Sequence, residues 1–166
     1  MKVIKYILLL AGCFFLINCG NKSDKEQVEE EETQETSYEK LPDIVEISDE
    51  KLITINKWAK FKELSELMVK FQRQTRGDLS YFSEEFIRLD KEMDSVPPKF
   101  DIPEVKSRMV VFKTFAYQLG SRLNENAPVD SINVSRARVF NAYNAIRIQL
   151  SESLKSKIYQ EFLEEN

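Results

Sequence analysis

Apolar residues recur every three or four positions along most of the chain after Ser48, which is the spacing of an α-helix with one buried face. The pattern predicts a first helix from about Ser48 to Ser95, ended by Val96-Pro97-Pro98. Gly77 interrupts good helix formers, so a kink or break is expected near Arg76–Asp78. The predicted buried stripe is Trp58, Phe61, Leu64, Met68, Phe71, Leu79, Phe82, Phe86, Leu89 and Met93.

Two further helices follow by the same reasoning. Asp101 is the predicted N-cap of a second helix, with Pro103 in its first turn and Glu104 reaching back as in a capping box, and this helix extends to about Asn124. The segment from Asn124 to Pro128 predicts a turn. The last helix is expected from about Asp130 to Leu163.

The predicted fold class is all-α, because no alternating segment rich in β-branched residues separates the helices. Short connections make neighbouring helices run back along each other, so we expect an antiparallel bundle of three to four helices. The predicted organisation is a signal segment at 1–18, a disordered acidic linker at 19–46 and the helical domain at 47–166.

The amino terminus has the three parts of an export signal: Lys2 and Lys5, an apolar run from Ile7 to Ile17, and a polar shift after Cys19. The run is shorter than the roughly 20 apolar residues of a membrane span. Because it ends in cysteine, it resembles the lipobox of bacterial lipoproteins. The resemblance implies a diacylglycerol-modified, acylated (palmitate-bearing) Cys19 as the first mature residue.

Cys13 is the alternative lipidation site. Leu10–Cys13 reads LAGC and matches the usual lipobox better than LINC at Leu16–Cys19. Processing at Cys13, however, would leave Phe14-Phe15-Leu16-Ile17 at the mature amino terminus. We therefore expect modification at Cys19.

Residues 20–50 carry twelve acidic and three basic side chains. A segment of this composition has little to bury, so most of it is expected to be a disordered tether between a membrane anchor and the domain. The resemblance to lipoproteins implies anchoring to the outer membrane of a diderm bacterium. Acidic residues close behind the cysteine, beginning at Ser23-Asp24, resemble a surface-export signal, so the periplasmic and the surface face both remain open.

The chain has no histidine, and both of its cysteines lie in the signal. This removes the commonest general base and metal ligand and the thiol nucleophile, so we expect no enzyme, no metal and no cofactor. From Lys51 onward 19 basic residues face 16 acidic ones without a basic run, which disfavours a nucleic-acid partner. The expected function is binding of an envelope protein or other envelope component. The alternative is a small-ligand-binding or weakly hydrolytic periplasmic domain.

Three polar residues beside predicted core positions form a candidate cluster: Arg108 on the second helix, and Asn144 and Arg147 on the last. They would either satisfy one another inside the bundle or form a polar pocket or partner patch. Two tripeptides, Asp94-Ser95-Val96 and Asp130-Ser131-Ile132, resemble acceptors for O-glycosylation at Ser95 and Ser131. Together with the lipobox, the helix sequences VKSR and AYNAIR resemble small all-helical lipoproteins of diderm bacteria, a resemblance that implies no particular activity.

Overall fold

A computed structural model describes residues 37–164 of the chain, and its side chains from 37 to 154. The predicted signal segment, Cys13, Cys19 and most of the predicted linker lie outside the described residues. The described part contains five α-helices: α1 Asp49–Ile55, α2 Ala59–Arg73, α3 Ser80–Glu92, α4 Pro103–Asn124 and α5 Val129–Glu164. The predicted all-α fold class is confirmed. Within residues 37–164 the backbone pairing outside helices is one isolated antiparallel bridge between Ser37 and Arg76.

Helices α2 and α3 pack side by side in opposite directions. Lys60 at the start of α2 pairs with Glu92 at the end of α3, and Phe71 near the end of α2 contacts Phe82 near the start of α3. Helices α3 and α4 are antiparallel as well. Asp90 near the end of α3 pairs with Lys113 in the middle of α4, and Ser83 near the start of α3 lies beside Gly120 near the end of α4. Neighbouring helices therefore alternate in direction, as short connections require.

The predicted first helix is in fact three helices. Its first break, at Asn56–Trp58, was not expected. Trp58 adopts an extended backbone conformation, and its ring stacks on Phe61 at 5.6 Å and on Phe100 at 6.2 Å between centroids. The break therefore coincides with the packing of this aromatic side chain on Phe61 and Phe100.

The second break confirms the expectation at Gly77, although it is wider than predicted and spans residues 74–79. Gly77 has a positive φ of 78°, a conformation that costs little only for glycine. Asp78 then accepts hydrogen bonds from the backbone N–H and the hydroxyl of Ser80, at 2.8 and 2.7 Å, at the start of α3. These bonds hold the pKa of the Asp78 carboxyl below its ordinary value.

The start of α4 differs from the prediction by one residue. Ile102, not Asp101, is the N-cap, and it makes no side-chain capping bond. Asp101 instead pairs with Lys106 at 2.5 Å, while Pro103 occupies the first helical turn as expected. At the other end Asn126 has φ 49°, and the bonds from Ala127 N to Arg122 O and from Asn126 N to Leu123 O form a Schellman motif.

One hydrophobic core includes residues from all five helices, and α5 contributes a fully buried row. That row is Val139, Phe140, Tyr143, Ile146 and Leu150. None of the helices in the described part of the chain is both long and apolar enough to cross a membrane.

The predicted linker is wrong at its carboxyl-terminal end. Residues 37–48, which we call the strap, form no helix, yet Tyr38 and Leu41 are buried against the bundle and Ile44 and Ile47 are partly buried there. The strap also belongs to the same compact unit as the helices. The boundary predicted at 46/47 therefore lies inside the folded unit, because four apolar side chains offset the entropy of ordering this segment.

Candidate main-chain-binding site on the last helix

The strap meets the bundle through every third residue. Tyr38, Leu41, Ile44 and Ile47 all pack on the core, whereas most residues between them are exposed. A period of three is that of a polyproline II helix, whose backbone makes no internal hydrogen bonds. No backbone hydrogen bond joins two residues of the described segment 37–47, so its peptide groups are available to the protein surface beneath it.

The first contact point lies at Glu39. Its backbone N–H donates to Asn133 Oδ1 at 3.1 Å, and its carbonyl accepts from Arg136 Nη1 at 2.7 Å. Arg136 Nη1 also lies 3.3 Å from Asn133 Oδ1. Asn133 and Arg136, the first Asn–Arg pair, thus satisfy both main-chain groups of one strap residue.

The second contact point repeats this arrangement at Val45. The Val45 N–H donates to Asn144 Oδ1 at 3.1 Å, and its carbonyl accepts from Arg147 Nη2 at 3.0 Å and Nε at 3.2 Å. Arg147 additionally donates to the Tyr143 hydroxyl at 3.4 Å. Asn144 and Arg147 form the second Asn–Arg pair.

The two pairs are a sequence repeat on one face of α5. Residues 133–136 read NVSR and residues 144–147 read NAIR, eleven positions apart. Eleven residues are close to three turns of an α-helix, at about 3.6 residues per turn, so both pairs point to the same side. The hydrogen bonds of both pairs go to main-chain atoms of Glu39 and Val45, and Arg136 in addition lies against the ring of Tyr38.

Arg136 is the most unusual residue of the site, because it is fully buried and forms no ion pair with any described residue. Its guanidinium lies 4.9 Å from the ring centre of Tyr38 and 5.6 Å from that of Phe71. Burial lowers the pKa of Arg136, and this effect is opposed by Tyr38 and Glu39. Arginine nevertheless stays charged in proteins, so the cation depends on carbonyl oxygens and aromatic faces for its stabilisation.

The strap lies between α5 and the α2–α3 connection, in a groove that we call the α5 groove. Arg136 Nη2 donates to the carbonyl of Gln74 at 2.7 Å, and the Tyr38 N–H donates to the carbonyl of Thr75 at 2.7 Å. Gln72 Nε2 donates to the carbonyl of Pro42 at 2.6 Å. The break after Arg73 therefore does more than reverse the chain, since it frees two carbonyl groups for the site.

The structure brings together two of the three residues predicted as a polar cluster. Asn144 and Arg147 are both buried and both bind Val45. Arg108 is exposed on α4 and is not part of this site. It precedes the buried Met109, and one residue along a helix corresponds to a rotation of about 100°, enough to turn its side chain to solvent.

Asn133 and Arg136 were missed by reasoning from the sequence. Two signals could have identified them: the repeat of Asn-x-x-Arg at an interval of eleven, and the apolar residues at 38, 41, 44 and 47. The acidic composition of residues 20–50 as a whole masks the second signal.

The remaining predicted positions lie apart from the Asn–Arg pairs. Ser95 is exposed in the α3–α4 connection, and Ser131 is half-buried in the first turn of α5. Both stay predictions as O-glycosylation sites.

A surface network of ion pairs joins α2 to α3. Arg88 donates to Glu63 at 2.5 Å, to Glu85 at 2.7 Å and to Glu92 at 2.8 Å, while Lys60 pairs with Glu92 and Glu63. These contacts lower the pKa values of Glu63 and Glu92 and raise that of Lys60. Among the described residues no group of three acidic side chains is arranged to hold a metal ion.

Comparison of the chain with known protein families, with curated proteins and with solved structures gave no significant match. The fold and the site define this protein only by class, as an α-helical bundle whose last helix holds residues 37–48 of its own chain through hydrogen bonds between its side chains and their main chain. Its function must be inferred from that site.

Proposed function

We propose that this chain is a lipid-anchored protein of the bacterial cell envelope whose helical domain binds a protein or another envelope component and catalyses no reaction. One observation carries the binding part of the proposal. The last helix holds an extended polypeptide by its peptide groups, through two equivalent Asn–Arg pairs.

The chemistry of the buried polar groups favours binding over catalysis. Hydrolytic catalysis needs a nucleophile beside a base. The side chains of Asn133, Arg136, Asn144 and Arg147 instead bond to carbonyl and N–H groups of the strap and the α2–α3 connection. Amide and guanidinium groups in this arrangement provide affinity and orientation.

The anchoring part of the proposal depends on the lipobox-like residues around Cys19. The strap follows the predicted tether directly, so a chain anchored at Cys19 would reach the bundle through Ser37 and run along α5 to α1. The hydrogen bonds to Glu39 and Val45 would then fix the point at which the tether leaves the domain.

Metabolic labelling with an alkyne fatty acid tests the anchor. We expect the parent protein and the variant Cys13→Ala to be labelled and to fractionate with membranes, and Cys19→Ala to be unlabelled. Labelling of Cys19→Ala together with loss of label from Cys13→Ala would contradict the choice of cysteine. Absence of label from the parent would contradict lipid anchoring itself.

Affinity capture of the lipidated protein from native membranes, after cross-linking, tests the binding function. Partners specific to this function should be depleted several-fold by Arg147→Gln, which removes the bonds to Val45. The matched control is Arg108→Gln, because Arg108 is an exposed arginine outside the site. Equal recovery of every partner with both variants would contradict a binding role for the α5 site.

A further inference from the structure

We infer that the strap is a displaceable occupant of the α5 groove, and that the partner of this protein is an extended polypeptide segment with an apolar residue at every third position. This inference rests on the proposed function and specifies the partner of the same site. The partner would take the place of residues 37–47 on the two Asn–Arg pairs.

The hydrogen bonds of the two Asn–Arg pairs recognise main-chain groups. The Asn–Arg pairs contact the N–H and carbonyl of Glu39 and Val45, groups that every residue except proline possesses in full. The side-chain requirement is confined to the apolar positions of Tyr38, Leu41, Ile44 and Ile47. A segment that keeps this spacing and has an aromatic residue at the position of Tyr38 can make the same contacts, including the one with the Arg136 guanidinium.

The central part of the strap, between its two contact points, is held mainly by the buried Leu41 and by exposed polar contacts. Between Glu39 and Val45 the described hydrogen bonds to the bundle are those from Gln72 to Pro42 and Asp43, in an exposed position. Ile44 and Ile47 are only partly buried. Segments with few buried contacts and exposed main-chain bonds open locally at low free energy.

The buried guanidinium of Arg136 also favours an occupant that can be exchanged. Arg136 is fully buried without a salt bridge to any described residue, although the Glu39 carboxylate opposes the lowering of its pKa by burial, and its Nε has no hydrogen-bond partner there. A segment needed only to cover the core could do so with apolar contacts at lower cost. A guanidinium that binds a carbonyl of a passing chain is instead suited to a site whose occupant can change.

A peptide-binding experiment tests the inference. The protein is the full chain in detergent, as the parent and as the strap-weakened variant Tyr38→Ser/Leu41→Ser. The probes are a fluorescent peptide with the sequence of residues 37–48, an unrelated peptide with the same apolar period of three, and a scrambled peptide. Fluorescence anisotropy measures the dissociation constant.

We expect both patterned peptides to bind the weakened variant at least about tenfold more tightly than the parent, because a bound strap reduces the fraction of open sites. Adding Asn133→Ala and Asn144→Ala should abolish this binding, and adding Arg108→Ala should leave it unchanged. Equal affinity of parent and weakened variant, or binding of the scrambled peptide, would overturn the inference.

Hydrogen exchange on the unmodified parent keeps the inference testable if the weakened variant does not fold. Displacement requires the Glu39 and Val45 amides to exchange through local opening, at least about a hundredfold faster than buried amides of α5. Exchange of these two amides only with global unfolding would refute a displaceable strap. Failure of the fatty-acid label would refute the anchoring proposal alone, so the two failures are distinguishable.

Discussion

Replacement of Arg136 tests whether the protein needs a planar guanidinium that donates to two carbonyl groups at once. The side chain donates at 2.7 Å to the carbonyls of both Glu39 and Gln74 and lies against the ring of Tyr38. Each charge-assisted hydrogen bond contributes about 1.5–3 kcal/mol and the cation–π contact about 0.5–2 kcal/mol. Burial of the cation opposes this with several kcal/mol.

Arg136→Met removes both the bonds and the desolvation penalty, so the two effects partly cancel. We expect a loss of about 1–3 kcal/mol in the free energy of unfolding. Arg136→Lys keeps the penalty, and an ammonium cannot bridge the two carbonyls as the planar fork does. We therefore expect the lysine variant to lose more, about 3–5 kcal/mol.

Urea unfolding monitored by the fluorescence of Trp58, the single tryptophan, measures these losses. Thermal melting should show a decrease of about 3–5 °C per kcal/mol in a domain of this size. Arg138→Lys is the matched control, because Arg138 is exposed on the same helix. A lysine variant at position 136 that is as stable as the parent, or more stable than the methionine variant, would refute the reasoning.

Three further predictions concern single residues. Asn144→Ala should cost about 1 kcal/mol through loss of its strap bond, whereas Arg108→Ala should change stability by less than about 0.5 kcal/mol, and overlaid melting curves of the two variants would contradict this difference. Gly77→Ala should cost about 1–2 kcal/mol in urea unfolding because of its positive φ, and an unchanged midpoint would contradict the strain. Arg88 lowers the pKa of Glu63 from 4.5, so the stability from this contact is present above pH 4.5 and is lost as pH falls through the lower folded value. When the urea midpoint is measured as a function of pH, Glu63→Gln should reduce this loss of stability at acid pH. An unchanged loss would contradict the assignment of the effect to Glu63.

The helices could be predicted from the sequence because their signals are local. Periodic apolar residues, Pro97-Pro98 and Gly77 act through their own backbone, and each of them marks an element or a connection in the structure. The break at Trp58 could not be predicted in this way. At this break the indole stacks on Phe100, more than forty residues away in the sequence, and no local preference for a turn indicates that contact.

The sequence predicts two of the four side chains of the site. Whether a polar residue next to a core residue is buried depends on the direction of its side chain around the helix axis, and proximity in sequence does not determine that direction. Asn144 and Arg147 flank Ile146 and face the strap, while Arg108 beside Met109 faces solvent. The strap falls within residues 20–50, whose twelve acidic and three basic side chains predict a linker, although the strap itself has more apolar than charged side chains. Its period of three can be interpreted only together with the surface beneath it, where Asn and Arg side chains match the main-chain groups of the strap.

The two Asn–Arg pairs also restrict the conformation of any segment that binds them. Eleven residues of α5 span about 16–17 Å at a rise of about 1.5 Å per residue. The six steps from Glu39 to Val45 span about 19 Å in a polyproline II helix, a difference that flexible Asn and Arg side chains can accommodate. Six helical residues would span only about 9 Å and could reach one pair but not both. A helix of about eleven residues would match the distance between the pairs, but its main-chain N–H and carbonyl groups are engaged in internal hydrogen bonds and cannot bind the Asn and Arg side chains. An occupant that binds both pairs through its main chain must therefore be extended.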